Sequence, residues 1–424
     1  MASPILEDLV WRGLVADSTD PEALAAALDA GPLTFYCGFD PTAPSLQFGN
    51  LLQLVTMRRL QLAGHDPIAV VGGATGLIGD PSGRSTERTL NEADVVAGWV
   101  DRIRGQVEPH LDFAGPHAAR IVNNLDWTAP VSALSLLRDV GKHFSVNRML
   151  EKESVRARLN GPGISFTEFS YQILQAFDYL ELHRRYGCRL QTGGSDQWGN
   201  LTAGVDLIRR VTGETVHALV TPLLTKADGT KYGATAGGTL WLDPQLTSPY
   251  AFYQYFVNAA DADIGSLVRV FSLRSREEIE ALEAQTAERP EGRHAQQALA
   301  TEVTTLVHGD AATGQAVAAS AALFGKGELA ALDASTLAAA AAELPRVEVA
   351  GAVPTMGELL VASGLVDSRT AARRVVAEGG AYLNNRRVTD VEAVPEASEL
   401  LHGRWLILRR GKRSLAAAEV TAQG

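Results

Sequence analysis

The stretch Tyr36-Cys37-Gly38-Phe39-Asp40-Pro41-Thr42-Ala43-Pro44-Ser45-Leu46-Gln47-Phe48-Gly49-Asn50 decides the fold. It continues an apolar run that begins at Leu33, so Leu33–Phe39 reads as a buried strand opening into the loop Gly38-Phe39-Asp40-Pro41. Asn50–Leu62 then reads as a helix closed by Gly64. A glycine at a strand end lets the backbone approach a ligand, and the free amides of a helix starting near Gly49 suit a phosphate. Gln47 and Asn50 are three apart and share one face of the first turn. A Gly-containing connection in any α/β protein reads the same way.

Outward from there the pattern repeats. Pro67–Val71 reads as a second buried strand, followed by the Gly-rich run Gly72–Gly83. Val96–Leu111 reads as helix, Arg120–Asn123 as strand, Ile164–Leu182 as a long helix and Arg189–Thr192 as a strand running into Gly193-Gly194-Ser195-Asp196. Met1–Ala30 reads as helical. Strands alternating with helices predict an α/β fold, a Rossmann-type doubly wound parallel sheet covered on both faces. In such sheets ligands bind beyond the carboxyl ends of the strands. The expected catalytic domain spans 1–247, including a signature loop at 225–235. After Pro249 helical periodicity dominates, giving an α-helical domain at 248–328 and an Ala-rich helix and linker at 329–354. A compact α+β unit closes the chain at 355–424.

The 424 residues leave room for two or three domains. With 46% hydrophobic and 21% charged residues the composition excludes wholesale disorder and collagen. Two cysteines, Cys37 and Cys188, cannot build a disulfide framework or a zinc cluster, and a reducing cytoplasm is the natural reading. The longest apolar runs, such as Ala316–Phe324, fall well short of the ~20 residues a membrane helix needs, and Met1–Asp8 lacks a signal-peptide pattern. The net charge of −11 argues against nucleic acid, but its distribution is uneven. Thr355–Gly424 holds ten Lys and Arg against eight Asp and Glu, while the rest holds twenty-eight against forty-one. The clusters Arg369/Arg373/Arg374 and Arg404/Arg409/Arg410/Lys412/Arg413 make a small basic module on an acidic body, either a local polyanion contact or a solvated charged face.

Three further segments carry chemistry. On the Ile164–Leu182 helix, Tyr171, Gln175 and Asp178 fall on one stripe while Ile173, Leu174, Phe177 and Leu180 supply apolar surface elsewhere. Such polar groups either face water or line a pocket for a small polar ligand. In Gln191–Asn200 a strand runs into two glycines and an acid that could take ribose hydroxyls, or into an ordinary Asp-capped turn. Thr225–Thr235 is a Gly-rich polar loop with two lysines, which could close over phosphates or be a plain turn.

In this order and spacing the segments are specific. The chain resembles the bacterial tyrosyl-tRNA synthetases, a class I aminoacyl-tRNA synthetase family, over essentially its whole length. The resemblance rests on Tyr36–Ser45, Val71–Gly83 (VGGATGLIGDPSG), Asp139–Asn147 (DVGKHFSVN), Gly163–Tyr171 (GISFTEFSY), Gly193–Asn200 (GGSDQWGN) and Thr225–Lys231 (TKADGTK). Ser368-Arg369 and Ala372-Arg373-Arg374 before Gly380-Ala381-Tyr382-Leu383-Asn384 look like an S4 RNA-binding module.

The resemblance implies ATP-dependent activation of L-tyrosine to tyrosyl-adenylate, release of pyrophosphate, and transfer to tRNA(Tyr). It implies ATP with Mg2+ as co-substrate and no tightly bound cofactor or protein-held metal. The implied partners are L-tyrosine, ATP, tRNA(Tyr) and a second copy in a homodimer, with no membrane. By motif match, Tyr36 and Asp178 would bond the substrate phenol, and Tyr171, Gln175 and Asp80 its ammonium group. Gln197 would bond the carboxylate or the α-phosphate. Cys37, Gly38, Asp40, Gly194 and Asp196 would surround the nucleoside. Thr42, Gln47, Asn50, Lys231 and Thr235 would serve the phosphates, with Arg84 and Arg88 on the loop that guards them. Arg369, Arg373, Arg374, Arg409, Arg410 and Lys412 would meet RNA. Removing the phenolic hydroxyl would leave Tyr36 and Asp178 unpaired. This family is itself the standard illustration of ~10⁵ discrimination against phenylalanine, so that figure is the family's and no deduction from these residues.

Two departures stand out. The family's His-x-Gly-His is Gln47-Phe48-Gly49-Asn50 here, and its Lys-x-Gly-Lys-Ser/Thr is Lys231-Tyr232-Gly233-Ala234-Thr235. Amides still donate to phosphate, at an expected loss of ~1–2 kcal/mol. Ala234 offers no charge, and one missing pre-organised donor costs ~10²–10³ in rate. The expectation is a ligase with weakened pyrophosphate stabilisation. The alternatives are a relative repurposed to activate tyrosine or an analogue in a specialised pathway, and a non-catalytic tyrosine- or tRNA-binding protein.

Overall fold

The computed structural model describes residues 3–82, 90–161, 163–227, 229–235, 238–412 and 414–421. They pack as two units, Met1–Asp243 with Ala260–Pro290, and Pro244–Ala259 with Glu291–Gly424.

The first unit is built on a six-stranded sheet. Its strands are β1 (Asp17–Ser18), β2 (Thr34–Phe39), β3 (Asp66–Val71), β4 (Arg120–Asn123), β5 (Leu190–Gly194) and β6 (His217–Thr221), in the order β1-β6-β5-β2-β3-β4. All neighbours are parallel except the edge pair β1 and β6. The chain runs outward from β2 through β3 to β4, then returns to the other side of β2 as β5 and β6. Between β2 and β5 the winding reverses, and there the strand ends leave a crevice for ligands.

Alternation along β2 sends neighbouring side chains to opposite faces. Tyr36 packs edge-on against Tyr179, 5.2 Å between ring centroids, within a core that includes Ile68, Val70, Phe177 and Leu180. Cys37 turns to the other face, its Sγ 4.0 Å from Gln53 Oε1 on the Phe48–Leu62 helix. That helix is buried at nearly every position from Leu51 to Gln61. The Phe166–Tyr186 helix starts where Ser165 Oγ accepts from Glu168 N at 3.2 Å. It ends at Gly187, whose φ of +64° suits a residue without a Cβ. Behind its start, Arg158 and Glu168 form an ion pair at 2.8 Å with both side chains 2% exposed.

Three expectations are corrected. Met1–Ala30 is two helices, Pro4–Trp11 and Pro21–Asp29, parted at Gly13 (φ +76°) and by β1. The Ala260–Pro290 stretch packs with the first unit, not with a separate helical domain. Two guanidiniums hold it there: Arg12 donates to the carbonyls of Arg269, Ser272 and Arg274, and Arg59 to those of Val270 and Ser272. Phe271 adds its ring to Phe48, 4.9 Å between centroids. The segment 329–354 holds the expected helix, Ala334–Ala342, but its tail is a strand. Arg346–Ala350 pairs parallel to Ser414–Thr421, because a run alternating through Val347 and Val349 can seat valines on a core.

The second unit holds the helices Pro249–Val257 and His294–Leu323, the latter interrupted at Gly309, and a five-stranded sheet. That sheet and the helices Met356–Ala362 and Arg369–Ala377 enclose Leu359, Leu360, Ala372, Leu406 and Leu408. No helix of the described residues is long and apolar enough to cross a membrane.

Candidate active site

A cavity of about 440 Å³ opens at the carboxyl ends of β2 and β5. Its wall brings together Tyr36, Cys37, Gly38, Asp40, Thr42, Gln47, Asn50, Asp80, Tyr171, Gln175, Asp178, Gly194, Asp196, Gln197 and Lys231. Residues singled out from five separate segments of sequence thus meet in one place.

At one end the Tyr36 hydroxyl is buried with no hydrogen-bond partner among the described residues. Burial and the nearby Asp178 carboxylate raise its pKa. Asp178 Oδ1 accepts from Trp127 Nε1 at 2.8 Å, and Oδ2 from Asn124 Nδ2 at 2.9 Å. Burial pushes this carboxyl up to about 7, against the pull of those two donors. Asn124 is held in turn, its Oδ1 accepting from Ala74 N at 2.7 Å. Gln175 and Gln191 each bury a carbonyl oxygen without a hydrogen-bond partner among the described residues. A buried phenol, a carboxylate and amide oxygens around a hollow fit a small molecule with a hydroxyl at one end.

The middle of the cavity is acidic. Asp40 accepts from Tyr171 Oη at 2.6 Å and from Thr75 Oγ1 at 2.7 Å. Gly72 makes room for it, since a Cβ there would lie 2.0 Å from Asp40 Oδ1. Asp80 Oδ2 accepts from Gln197 Nε2 at 2.6 Å. Burial, then Asp80, raises the pKa of Asp196, while Lys231 opposes the rise. Asp40 and Asp80 set beside a hollow favour a cation, here the class of an ammonium group.

At the outer end the two signature segments touch. Phe48 N donates to Leu240 O at 3.1 Å, Leu240 N to Gly233 O at 2.8 Å, and the Phe48 and Tyr232 rings stack 5.8 Å apart. Asn50 Oδ1 accepts from Gln47 N at 2.9 Å. Lys231 is exposed beside this edge. The side chain of Thr235, and Arg84 and Arg88 altogether, lie outside the described residues.

The basic residues of the second unit have local partners. Arg369 pairs with Glu358 at 2.5 Å and Arg373 with Glu392 at 3.2 Å. Arg409 lies over the Tyr382 ring at 4.0 Å, and Arg410 Nη1 donates to Leu365 O at 2.9 Å. Arg374 and Lys412 are exposed.

Sequence reasoning missed Asn124, Trp127, Thr75 and Gln191. The signal was the polar pair Asn123-Asn124 at the end of β4, at the same carboxyl edge as the other loops.

The model of the family described as tRNA synthetases class I (W and Y) matches residues 28–325, and that of the Tyrosine--tRNA ligase SYY-like C-terminal domain matches 336–417. The Tyrosine--tRNA ligase of Streptomyces coelicolor is 62% identical over 419 residues, covering 98% of this chain and 99% of that protein. The Tyrosine--tRNA ligase of Mycobacterium tuberculosis is 58% identical over 422 residues, covering 99% of each. Among solved structures, a C-terminally truncated mitochondrial tyrosyl-tRNA synthetase from Coccidioides posadasii aligns with a TM-score of 0.66 at 30% identity, covering 74% of this chain and 90% of that one.

Proposed function

The chain belongs to the class I tRNA synthetases (W and Y), and from that premise we infer that it is a tyrosine–tRNA ligase. It activates tyrosine with ATP and passes the tyrosyl group to tRNA(Tyr). The tyrosine carboxylate attacks the α-phosphorus, the bond to the β,γ-phosphates breaks, and pyrophosphate leaves. A ribose hydroxyl at the tRNA 3′ end then attacks the acyl carbon and AMP departs.

The observation that carries the tyrosine assignment is the pairing of an unpartnered buried Tyr36 hydroxyl with the Asp178 carboxylate across one cavity. Tyr36 donates to the substrate phenolic oxygen and ionised Asp178 accepts its proton. Tyr171, Gln175 and Asp80 take the ammonium group, and Gln197 the carboxylate. Cys37, Gly38, Asp40, Gly194 and Asp196 seat the nucleoside. Thr42, Gln47, Asn50, Lys231 and Thr235 meet the phosphates, with Mg2+ arriving on ATP. No protein nucleophile is needed, because positioning and charge stabilisation carry such a transfer. Ala234 contributes no charge to the departing pyrophosphate, so the activation step is slower than with a lysine there.

Arg369, Arg373, Arg374, Arg409, Arg410 and Lys412 meet the tRNA on an S4-like domain. A homodimer is supported by exposed apolar side chains: seven of the seventeen large ones among the described residues lie between Leu125 and Phe166, with Leu134 80% and Phe166 76% exposed. Two free, buried cysteines fit a cytoplasmic location.

The test is tyrosine-dependent exchange of pyrophosphate into ATP, run beside phenylalanine, followed by charging of tyrosine tRNA. Exchange and charging with tyrosine alone are expected. Exchange without charging would turn the reading to a repurposed activating enzyme, and no exchange would end the catalytic reading.

A further inference from the structure

Behind the cavity wall, one carboxylate sets the sense of two amides. A carboxylate can only accept, so whatever faces Asp80 Oδ2 at 2.6 Å is the nitrogen of Gln197. The Gln197 carbonyl therefore points the other way. There it accepts from Asn200 Nδ2 at 3.1 Å. The same Asn200 nitrogen lies 3.3 Å from Ser82 Oγ and 3.5 Å from Asp80 Oδ1, and Ser82 N donates to Asp80 Oδ1 at 2.9 Å. Asp80 and Gln197 line the cavity, whereas Asn200 is 8% exposed and stands behind them, in the first turn of the Trp198–Thr212 helix.

We propose that Asn200 is a positioning residue that fixes the sense of the Gln197 carboxamide, so that the cavity edge offers an N–H donor and selects the carboxylate of the amino acid. Gln197 Nε2 carries two hydrogens. One is used on Asp80, and the side chain also bonds the Asp196 carboxylate, which a ligand carboxylate would replace. When a substrate ammonium group claims Asp80 and its carboxylate displaces Asp196, those two aspartates hold Gln197 less firmly. Asn200 then helps to keep the carbonyl turned inward. Without it the amide can rotate and present an oxygen, which repels a carboxylate. The proposal rests on the reading of this cavity as the tyrosine site.

The experiment compares tyrosine with tyramine, which keeps the phenol and the ammonium group and lacks the carboxylate. Both are titrated calorimetrically into the full chain and into Asn200→Asp and Asn200→Ala, each checked by thermal melting. Asn200→Asp places an acceptor against the Gln197 carbonyl. It should weaken tyrosine about tenfold relative to tyramine, the scale of one hydrogen bond to a charged group, because the new carboxylate 3.5 Å from Asp80 acts on the ammonium group of both ligands alike. Asn200→Ala, which preserves the fold most simply, should show a smaller loss on tyrosine alone. Equal losses on both ligands, or no loss on tyrosine in either variant, would overturn the proposal and assign Asn200 a purely structural part. If the unaltered chain binds neither ligand, the cavity assignment fails first and takes this proposal with it.

Discussion

Trp127 Nε1 donates to Asp178 Oδ1 at 2.8 Å, and both side chains are buried. This contact ties a loop after β4 to the helix that lines the cavity. It also acts on the charge of the group proposed to recognise the substrate phenol. Burial raises the Asp178 carboxyl to about 7, and the donations from Asn124 and Trp127 hold it from rising further. The folded chain therefore keeps this proton where the unfolded chain has lost it. The stability this group contributes is full at acid pH and is lost as pH rises through about 7. Recognition runs the opposite way, because only the ionised form accepts the phenolic proton. In pyrophosphate exchange, kcat/KM for tyrosine should rise with pH around a midpoint near 7. Trp127→Phe removes one donor and should move that midpoint upward. An unmoved midpoint would detach Asp178 from the profile.

Tyr36→Phe separates recognition from folding. The hydroxyl is buried without a partner, so its removal should leave the melting temperature unchanged or raised. Discrimination between tyrosine and phenylalanine should fall about tenfold in the exchange assay, the scale of one hydrogen bond. A large drop in melting temperature with discrimination intact would contradict the assignment.

Ala234→Lys restores a cation to the signature loop. Exchange should speed up by roughly tenfold or more. The gain should come in kcat, since the charge is felt most when pyrophosphate is leaving. Adding Asn50→His is expected to subtract from that gain, because Asn50 Oδ1 accepts the Gln47 N–H that opens the helix. Steady-state exchange kinetics on both variants decide the point.

Arg158→Met removes the cationic half of the buried Arg158–Glu168 ion pair. Loss of one member of such a pair costs about 3–5 kcal/mol, whereas replacing both by apolar side chains is often neutral. Denaturant titration should therefore find Arg158→Met much less stable than the double variant Arg158→Met/Glu168→Leu.

Leu134→Asp with Leu137→Asp probes association. Both side chains are exposed, so the protomer should fold normally. Sedimentation should show a dimer for the unaltered chain and a monomer for the variant. A monomer in both cases would remove the homodimer from the reading.

The central sheet was legible because β2, β3 and β4 hold short apolar runs, and β5 runs into the glycine pair Gly193-Gly194. β6 was missed: His217–Thr221 follows the helix-ending Gly213 but opens on a histidine, so it does not read as an apolar run, yet every residue is buried. The site was legible where its members share a motif, as with Tyr171, Gln175 and Asp178 on one helical stripe. It was illegible where the partner arrives by tertiary folding, as with Trp127 and Asn124, which lie some fifty residues from Asp178. The allegiance of Ala260–Pro290 was hidden for the same reason. Its helices look like their neighbours, and tertiary contacts, the carbonyl bonds of Arg12 and Arg59 and the ring contact of Phe48 with Phe271, decide which unit claims them.

The two-residue β1 has a protective consequence. It covers part of the outer side of β6, a strand of His-Ala-Leu-Val-Thr that would otherwise present bare backbone donors and acceptors to any passing chain. The opening segment is anchored for this duty by Arg12, whose guanidinium grips carbonyls more than 250 residues away. Trimming the first twenty residues, a routine choice when an amino terminus looks dispensable, would strip the guard from that border and invite sheet-to-sheet self-association before any loss of chemistry was noticed.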